Sequence, residues 1–207
     1  MADAGDIKAQ AIEIAKLTNE GTSYVCGSWW TNGKIALKLS GALDKDQALS
    51  LECQCGESGC GCECEACSRC VDSKPYCDEI RECPTLEVTW SDDGFHRPDL
   101  MAKHLHGLVS AAQTLTGVPV TIGRKTVFRV GRCILAAPGE HASAGFKIHA
   151  NLHYLAAARR YARASTWAFA ASAGEQQKAP MLLGYRQGKL VALVMPIDVQ
   201  ATCQEAA

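Results

Sequence analysis

Cysteine side chains dominate the chemistry that this sequence could perform. Nine of the twelve cysteines fall within one short stretch, namely Cys53, Cys55, Cys60, Cys62, Cys64, Cys67, Cys70, Cys77 and Cys83. The surrounding run, LECQCGESGCGCECEACSRC, contains almost nothing apolar against which so many thiols could pack. Thiols at this density indicate either metal binding or disulfide bonding.

The cellular compartment decides between those two chemistries. The N-terminal run MADAGDIKAQAIEIAKL lacks the basic, continuous apolar and small-residue parts of a secretory signal, so we expect a cytoplasmic protein. Cytoplasmic thiols stay reduced, which favours a metal site. Spacings such as Cys53-x-Cys55 and Cys67-x-x-Cys70 let neighbouring thiolates converge on one ion, and tetrahedral zinc is the default for four thiolates. Disulfides, redox thiols and an iron–sulfur cluster are the alternatives, although none of the common ferredoxin spacings occurs.

The number of cysteines predicts two to three zinc ions. Two separate four-thiolate sites would use eight of the nine, whereas a shared cluster of three ions would use all nine. One partition assigns the first four, Cys53, Cys55, Cys60 and Cys62, to one ion, and Cys64, Cys67 and Cys70 with Cys77 or Cys83 to another. The stretch contains no histidine, so we expect zinc to replace a hydrophobic core rather than to catalyse a reaction.

Metal storage and nucleic-acid contact are the other roles that such a stretch could have. Between residues 52 and 83, eight acidic residues stand against three basic ones, which would repel phosphate. The whole chain has a formal net charge of -1 and is 47% hydrophobic, so it has no general attraction for nucleic acid. No apolar run is long enough to span a bilayer, and we expect no membrane association.

Composition divides the chain into four segments, 1–50, 51–83, 84–200 and 201–207. In the first, Ile7, Ala11, Ile14 and Ala15 recur at helical spacing and predict a short amphipathic helix. The apolar runs YVCGSWW and KIALKLSG flank an Asn-Gly pair, which predicts a β-hairpin. The second is the Cys-rich zinc-binding segment, the third is a domain of its own, and the last is a tail.

Residues 84–200 predict an α+β fold made of one unit repeated twice. The strand LEVTW precedes a predicted helix that Asp99 caps and that ends before Gly117. We expect one face of this helix to contain Leu100, Met101, His104, Leu105, Leu108, Val109 and Leu115. Three strand-like runs follow. A second strand, GFKIHA, then precedes the helix NLHYLAAARRYARAS, capped by Asn151, and three more strands. The predicted fold is therefore a duplicated strand-helix-three-strand unit with a Cys-rich zinc-cluster insertion.

The second of these units resembles the end of the bacterial DNA polymerase sliding clamp, the beta subunit. The resemblance is carried by Tyr154, Leu155 and Ala158 at the start of the helix and by Val194, Met195, Pro196 and Ile197 in the closing strand. It covers about sixty residues and extends to 84–144 only as an order of elements. It implies a sliding-clamp-like replication accessory protein that binds duplex DNA and replication proteins. One clamp-like domain per chain also implies a homo-oligomer if a ring forms.

Two candidate sites follow from this resemblance. Arg159, Arg160 and Arg163 lie at i, i+1 and i+4 of the predicted helix, and a basic stripe of this kind would contact DNA phosphates. A solvated helix face explains the same three arginines. Val194, Met195, Pro196 and Ile197 would form one wall of a pocket for partner peptides, or else the closing strand alternates into the core.

The sequence predicts no enzymatic activity. It contains no phosphate-binding glycine loop, no dinucleotide fingerprint and no nucleophile elbow. Three functions therefore stay open: a clamp-like DNA-replication protein with structural zinc, a zinc-cluster protein-interaction module on an α+β scaffold, and a metal-storage protein.

Overall fold

A computed structural model describes residues 2–18, 20–53, 86–115, 117–120, 127–129, 132–136, 147–170 and 181–196. Within these residues the fold is α+β, as predicted, with antiparallel strands and three helices. The helices are α1 (Ala4–Thr18), α2 (Pro98–Gln113) and α3 (Leu152–Arg160). The strands are β1 (Thr22–Cys26), β2 (Trp29–Thr31), β3 (Ile35–Lys38), β4 (Gln47–Cys53), β5 (Leu86–Ser91), β6 (Val118–Val120), β7 (Val127–Arg129), β8 (Arg132–Ala136), β9 (Lys147–Asn151), β10 (Thr166–Ala170), β11 (Met181–Arg186) and β12 (Lys189–Val194).

The chain packs into two compact units that interleave along the sequence. The first unit contains residues 1–33 and 39–105, and the second contains residues 34–38 and 106–207. The strands on either side of the Cys-rich segment, β4 and β5, both belong to the first unit, whereas β3 belongs to the second.

In the first unit, α1 lies against β1 and β4 of a sheet with strand order β5-β4-β1-β2. The predicted helix is confirmed, and its apolar face, Ile7, Ala11, Ile14 and Ala15, is buried. The side chain of Asp3 accepts a hydrogen bond from the backbone N–H of Asp6 at 2.8 Å, which satisfies one of the free donors in the first turn. Burial and capping thus both position this helix on the sheet.

The run YVCGSWW forms two strands rather than one. Within it, β1 turns back into β2, with Val25 opposite Trp30 and Cys26 opposite Trp29. Gly27 has φ +55, a conformation open to glycine at little cost, and this explains the extra turn. Gly33, in the predicted turn after β2, also has a positive φ, of +86.

In the second unit, five strands pair in the order β3-β12-β11-β10-β6, and β7, β8 and β9 form a separate three-stranded sheet. Helix α3 contacts β12 and β9. Asn151 is its N-cap, as predicted, and accepts a hydrogen bond from the His153 N–H at 2.9 Å. The predicted helix was too long, however, because α3 ends at Arg160 and the chain turns at Tyr161.

The order of elements agrees with the predicted repeat, but the strand pairing does not repeat. The chain runs β5, α2, β6, β7, β8 and then β9, α3, β10, β11, β12. In the second series the last three strands form consecutive antiparallel pairs. In the first series β6 pairs with β10, whereas β7 and β8 pair with each other and β8 with β9. Pairing partners are chosen over long sequence separations, which local patterns do not specify.

Helix α2 buries only part of the predicted face. Leu105 and Val109 are buried, as predicted, whereas Leu100 is 49% exposed and His104 is exposed. The other buried residues of the helix are Pro98, Ala102 and Ala112. The predicted set favoured large apolar side chains, but two of the five buried positions are alanines. The helix begins at Pro98, so Asp99 lies within its first turn and not at the N-cap position.

Two glycines provide a matched test of packing in this fold. A Cβ added at Gly184 in β11 would lie 2.9 Å from the Ala192 Cβ, 3.1 Å from the Ala164 Cβ and 3.1 Å from Cζ3 of Trp167. We expect Gly184→Ala to lower the free energy of unfolding by about 1–3 kcal/mol, because a well-packed core resists an added methyl group. The measurement is chemical denaturation followed by circular dichroism.

The control is Gly107→Ala in α2, where an added Cβ meets nothing within 4 Å. This substitution should raise the free energy of unfolding by about 0.5–1 kcal/mol, since alanine favours a helix interior over glycine. Equal effects of the two substitutions would contradict the packing described around Gly184.

Candidate functional site

The Cys-rich segment begins and ends at one place in the fold. Strands β4 and β5 pair antiparallel over six positions, from Ala48 opposite Ser91 to Cys53 opposite Leu86. Directly opposed Cα atoms in such a pair are about 4.5–5.5 Å apart. Residues 53 and 86, which flank residues 54–85 in the sequence, therefore lie side by side at one end of this strand pair.

Cys53 is the one predicted zinc ligand that lies within the described residues, at the last position of β4. The other eight, Cys55, Cys60, Cys62, Cys64, Cys67, Cys70, Cys77 and Cys83, lie outside the described residues. The part of the chain that the structure does describe contains no group of three or more His, Cys, Asp or Glu residues able to hold a metal ion. The set of nine zinc ligands thus remains a prediction. Strand β4 fixes the position in the chain fold of its first member, Cys53.

Sequence reasoning missed β4 itself. Its register could have been inferred, because Leu49, Leu51 and Cys53 alternate with Ser50 and Glu52 at the period of a strand. The predicted boundary of the Cys-rich segment was placed at residue 51 because the cysteines become dense there, but the strand continues to Cys53.

The strand pair is held on the scaffold by contacts on either side of it. The ammonium group of Lys8, in α1, lies 4.9 Å from the centroid of the Trp90 ring in β5, a cation–π arrangement. Lys45 and Asp92, just outside the two strands, form an exposed ion pair at 3.6 Å. The exposed ion pair contributes little, so packing on α1 is the more important support.

Cys26 lies outside the Cys-rich segment, and its thiol does not have the character of a ligand. It is fully buried at the end of β1. Burial, with a smaller contribution from the negative charge of Asp46, raises its pKa from 9.0 to about 12. Metals bind the thiolate, so a buried thiol whose pKa is raised above that of an ordinary cysteine is a poorer ligand.

The three arginines predicted to bind DNA do not share one helix face. Arg159 and Arg160 end α3, but Arg163 follows the helix with φ +56. A non-glycine residue in this left-handed region costs roughly 1–2 kcal/mol. The guanidinium of Arg160 lies 5.2 Å from the centroid of the Tyr161 ring, whereas Arg159 and Arg163 line a cavity of about 690 Å³.

The residues of the predicted peptide pocket lie in different environments. Val194 is fully buried in β12, opposite Leu182 and Ile35. Met195 is 40% exposed, and its backbone N–H donates to the Lys34 carbonyl at 2.9 Å. Pro196 is half-buried, and Ile197 lies outside the described residues. Met195 is therefore the one exposed apolar side chain found among the three described positions.

Comparison with known proteins adds no family to this description. No family model matches the chain, and no curated protein or solved structure matches it either. Among the described residues, no helix has the length and apolar character needed to cross a membrane.

Proposed function

We propose that this chain is a zinc-thiolate protein whose Cys-rich segment forms an interaction module on an α+β scaffold. The observation that carries the proposal is the pairing of Cys53 with Leu86, which joins the two ends of residues 54–85. Eight cysteines lie between those ends. With Cys53 they supply enough thiolates for two to three zinc ions.

The strand pair lowers the entropic cost of assembling such a site. Bringing together the ends of a flexible loop of this length has an entropic cost, and the part of that cost that depends on loop length is roughly 3 kcal/mol. The β4–β5 pair contributes that closure before any metal binds. Zinc binding then only has to order the segment itself, and structural zinc sites supply roughly 10–16 kcal/mol for that purpose.

Charge favours a basic protein surface as the partner of this module. Residues 52–83 carry eight acidic and three basic side chains, a sum of -5 before the thiolates are counted. Each zinc ion with four thiolates adds about two further negative charges. A module of this charge repels nucleic-acid phosphates and attracts lysine- and arginine-rich surfaces. The module is not an enzyme, because four thiolates leave no open position on the metal.

Metal analysis of protein purified without added zinc tests this function. We expect two to three equivalents of zinc per chain, and the loss of at least one equivalent in the double variant Cys60→Ser, Cys62→Ser. Cys26→Ala is the matched control, because the buried thiol has a pKa of about 12 and should leave the zinc content unchanged. Less than one equivalent in the parent protein would contradict the proposal.

A clamp-like replication protein is the second candidate function. It is favoured by the chain order, in which a strand, a helix and three strands occur twice after the Cys-rich segment. Its DNA contacts would come from Arg159, Arg160 and Arg163, and it requires a homo-oligomeric ring. Light scattering of the purified protein with and without duplex DNA separates the candidates, since a monomer that ignores DNA excludes the ring.

A further inference from the structure

The second unit contains a cavity with a basic wall. Arg159 and Arg163 line the cavity of about 690 Å³, together with the hydroxyl-bearing residues Ser165 and Thr166. The Ser165 hydroxyl already donates to the Tyr185 carbonyl at 3.3 Å, so Thr166 is the hydroxyl of the two that can donate to a ligand. Among the described lining residues, two guanidinium groups and a hydroxyl therefore provide hydrogen-bond donors, and none carries a carboxylate.

The cavity also has an apolar part. It is formed by Pro119 and Val120 of β6 and by Ala164 and Trp167. Trp167 in β10 pairs with Val120 in β6, and its ring lies against Gly184. The sheet therefore fixes this part of the cavity, and the ligand must present an apolar or aromatic group to it.

The two cavity arginines have no acidic partner among the described residues. Acidic side chains that do pair with a basic one, such as Asp92 with Lys45 and Asp99 with Arg97, do so at other places in the fold. Arg160, the third arginine of this region, is not among the described residues that line the cavity and lies over the Tyr161 ring instead. Arg159 and Arg163 thus place two unneutralised charges at one cavity.

Backbone strain supports the same assignment. Arg163 adopts φ +56 although glycine or asparagine would fit that conformation better. Residues held in such conformations cluster at ligand sites, where the surrounding structure over-determines them. Here the strained turn brings the Arg163 side chain to the cavity that Arg159 reaches from the helix.

We propose that this cavity binds a small organic phosphate monoester that carries an aromatic or apolar group. Guanidinium groups bind phosphate oxygens through paired, charge-assisted hydrogen bonds. The cavity volume lies within the range of small-molecule sites, roughly 300–1,000 Å³, and suits a ligand of nucleotide size. The inference does not rest on zinc binding, which concerns the first unit.

The helix end does not cancel this attraction. The C-terminus of α3 carries a partial charge of about -0.5, against two full positive charges from Arg159 and Arg163. The carbonyl of Ala157 accepts from Tyr161 at 2.8 Å and that of Ala158 from Ala164 at 3.1 Å. These last-turn carbonyls are therefore partly satisfied within the chain, and the net field favours an anion.

Calorimetric titration of the full-length protein with phenyl phosphate, at a pH where it is a dianion, tests the proposal. We expect saturable binding that inorganic phosphate reproduces only weakly, because phosphate lacks the apolar group. Arg159→Ala and Arg163→Gly should each weaken binding roughly tenfold or more. Arg163→Gly should also raise the midpoint of thermal unfolding, since glycine relieves the strained backbone, so its loss of binding cannot come from misfolding.

The matched control is Arg160→Ala, which removes the same charge one residue away and should change binding less than twofold. Equal weakening by all three substitutions would overturn the cavity site, because it would indicate a diffuse positive field. Absence of phenyl phosphate binding to the parent protein would overturn it as well. Binding of duplex DNA that depends equally on Arg159 and Arg160, without phenyl phosphate competition, would assign these arginines to a nucleic-acid surface instead.

Discussion

Treating the purified protein with a strong chelator is expected, on the proposed function, to make residues 54–85 the site of the first tryptic cuts. The segment has almost nothing apolar to bury, so the proposed zinc ions would be the source of its order and their removal should expose it to protease. Cleavage should follow Arg69 and Arg81, whereas Lys74 is protected by the proline at position 75. We expect the initial rate of tryptic cleavage to rise about a hundredfold or more, because bound metal no longer opposes local unfolding of the segment. Mass spectrometry of the fragments identifies the cut positions.

Fragments 1–69 and 82–207 should remain together after these cuts, since the β4–β5 pair joins them and does not depend on the residues between the two strands. Adding zinc back before the protease should restore resistance, whereas magnesium should not, because magnesium prefers oxygen ligands. A reductant that exposes the same sites while a chelator does not would identify disulfides and contradict the zinc assignment.

Replacing Trp30 by alanine is expected to cause the largest loss of stability of any single substitution in the first unit. Trp30 is fully buried and is the largest of the fully buried side chains. Truncating a buried tryptophan costs about 3–5 kcal/mol, a large part of the 5–15 kcal/mol typical of a whole domain. Urea denaturation followed by circular dichroism should show the first unit unfolding at much lower denaturant concentration.

Phe95→Ala is the matched control for this loss, because the Phe95 side chain is 88% exposed and should change the free energy of unfolding by less than about 0.5 kcal/mol. Trp30→Phe adds a second comparison. The Trp30 Nε1–H has no acceptor among the described residues, so phenylalanine keeps most of the apolar burial and removes a buried unpaired donor. A cost of Trp30→Phe as large as that of Trp30→Ala would contradict this account of the core.

Features that depend on neighbouring residues could be predicted from the sequence. Helix α1 was predicted from the spacing of Ile7, Ala11, Ile14 and Ala15, and the start of α3 from Asn151. Both rest on contacts one turn apart, which the order of residues fixes directly. The zinc-binding chemistry assigned to the cysteines likewise depends on residue type and close spacing, and it remains a prediction for metal analysis.

Only the tertiary structure decided which distant parts of the chain meet. It paired Cys53 with Leu86, so that the Cys-rich segment leaves and rejoins one strand pair. It also ended α3 before Arg163 and placed that residue at a cavity with Val120. Strand pairing and helix ends of this kind depend on competition among packing partners far apart in sequence. Residue types and local periods therefore determined the chemistry available to this protein, while long-range pairing determined where that chemistry is brought together.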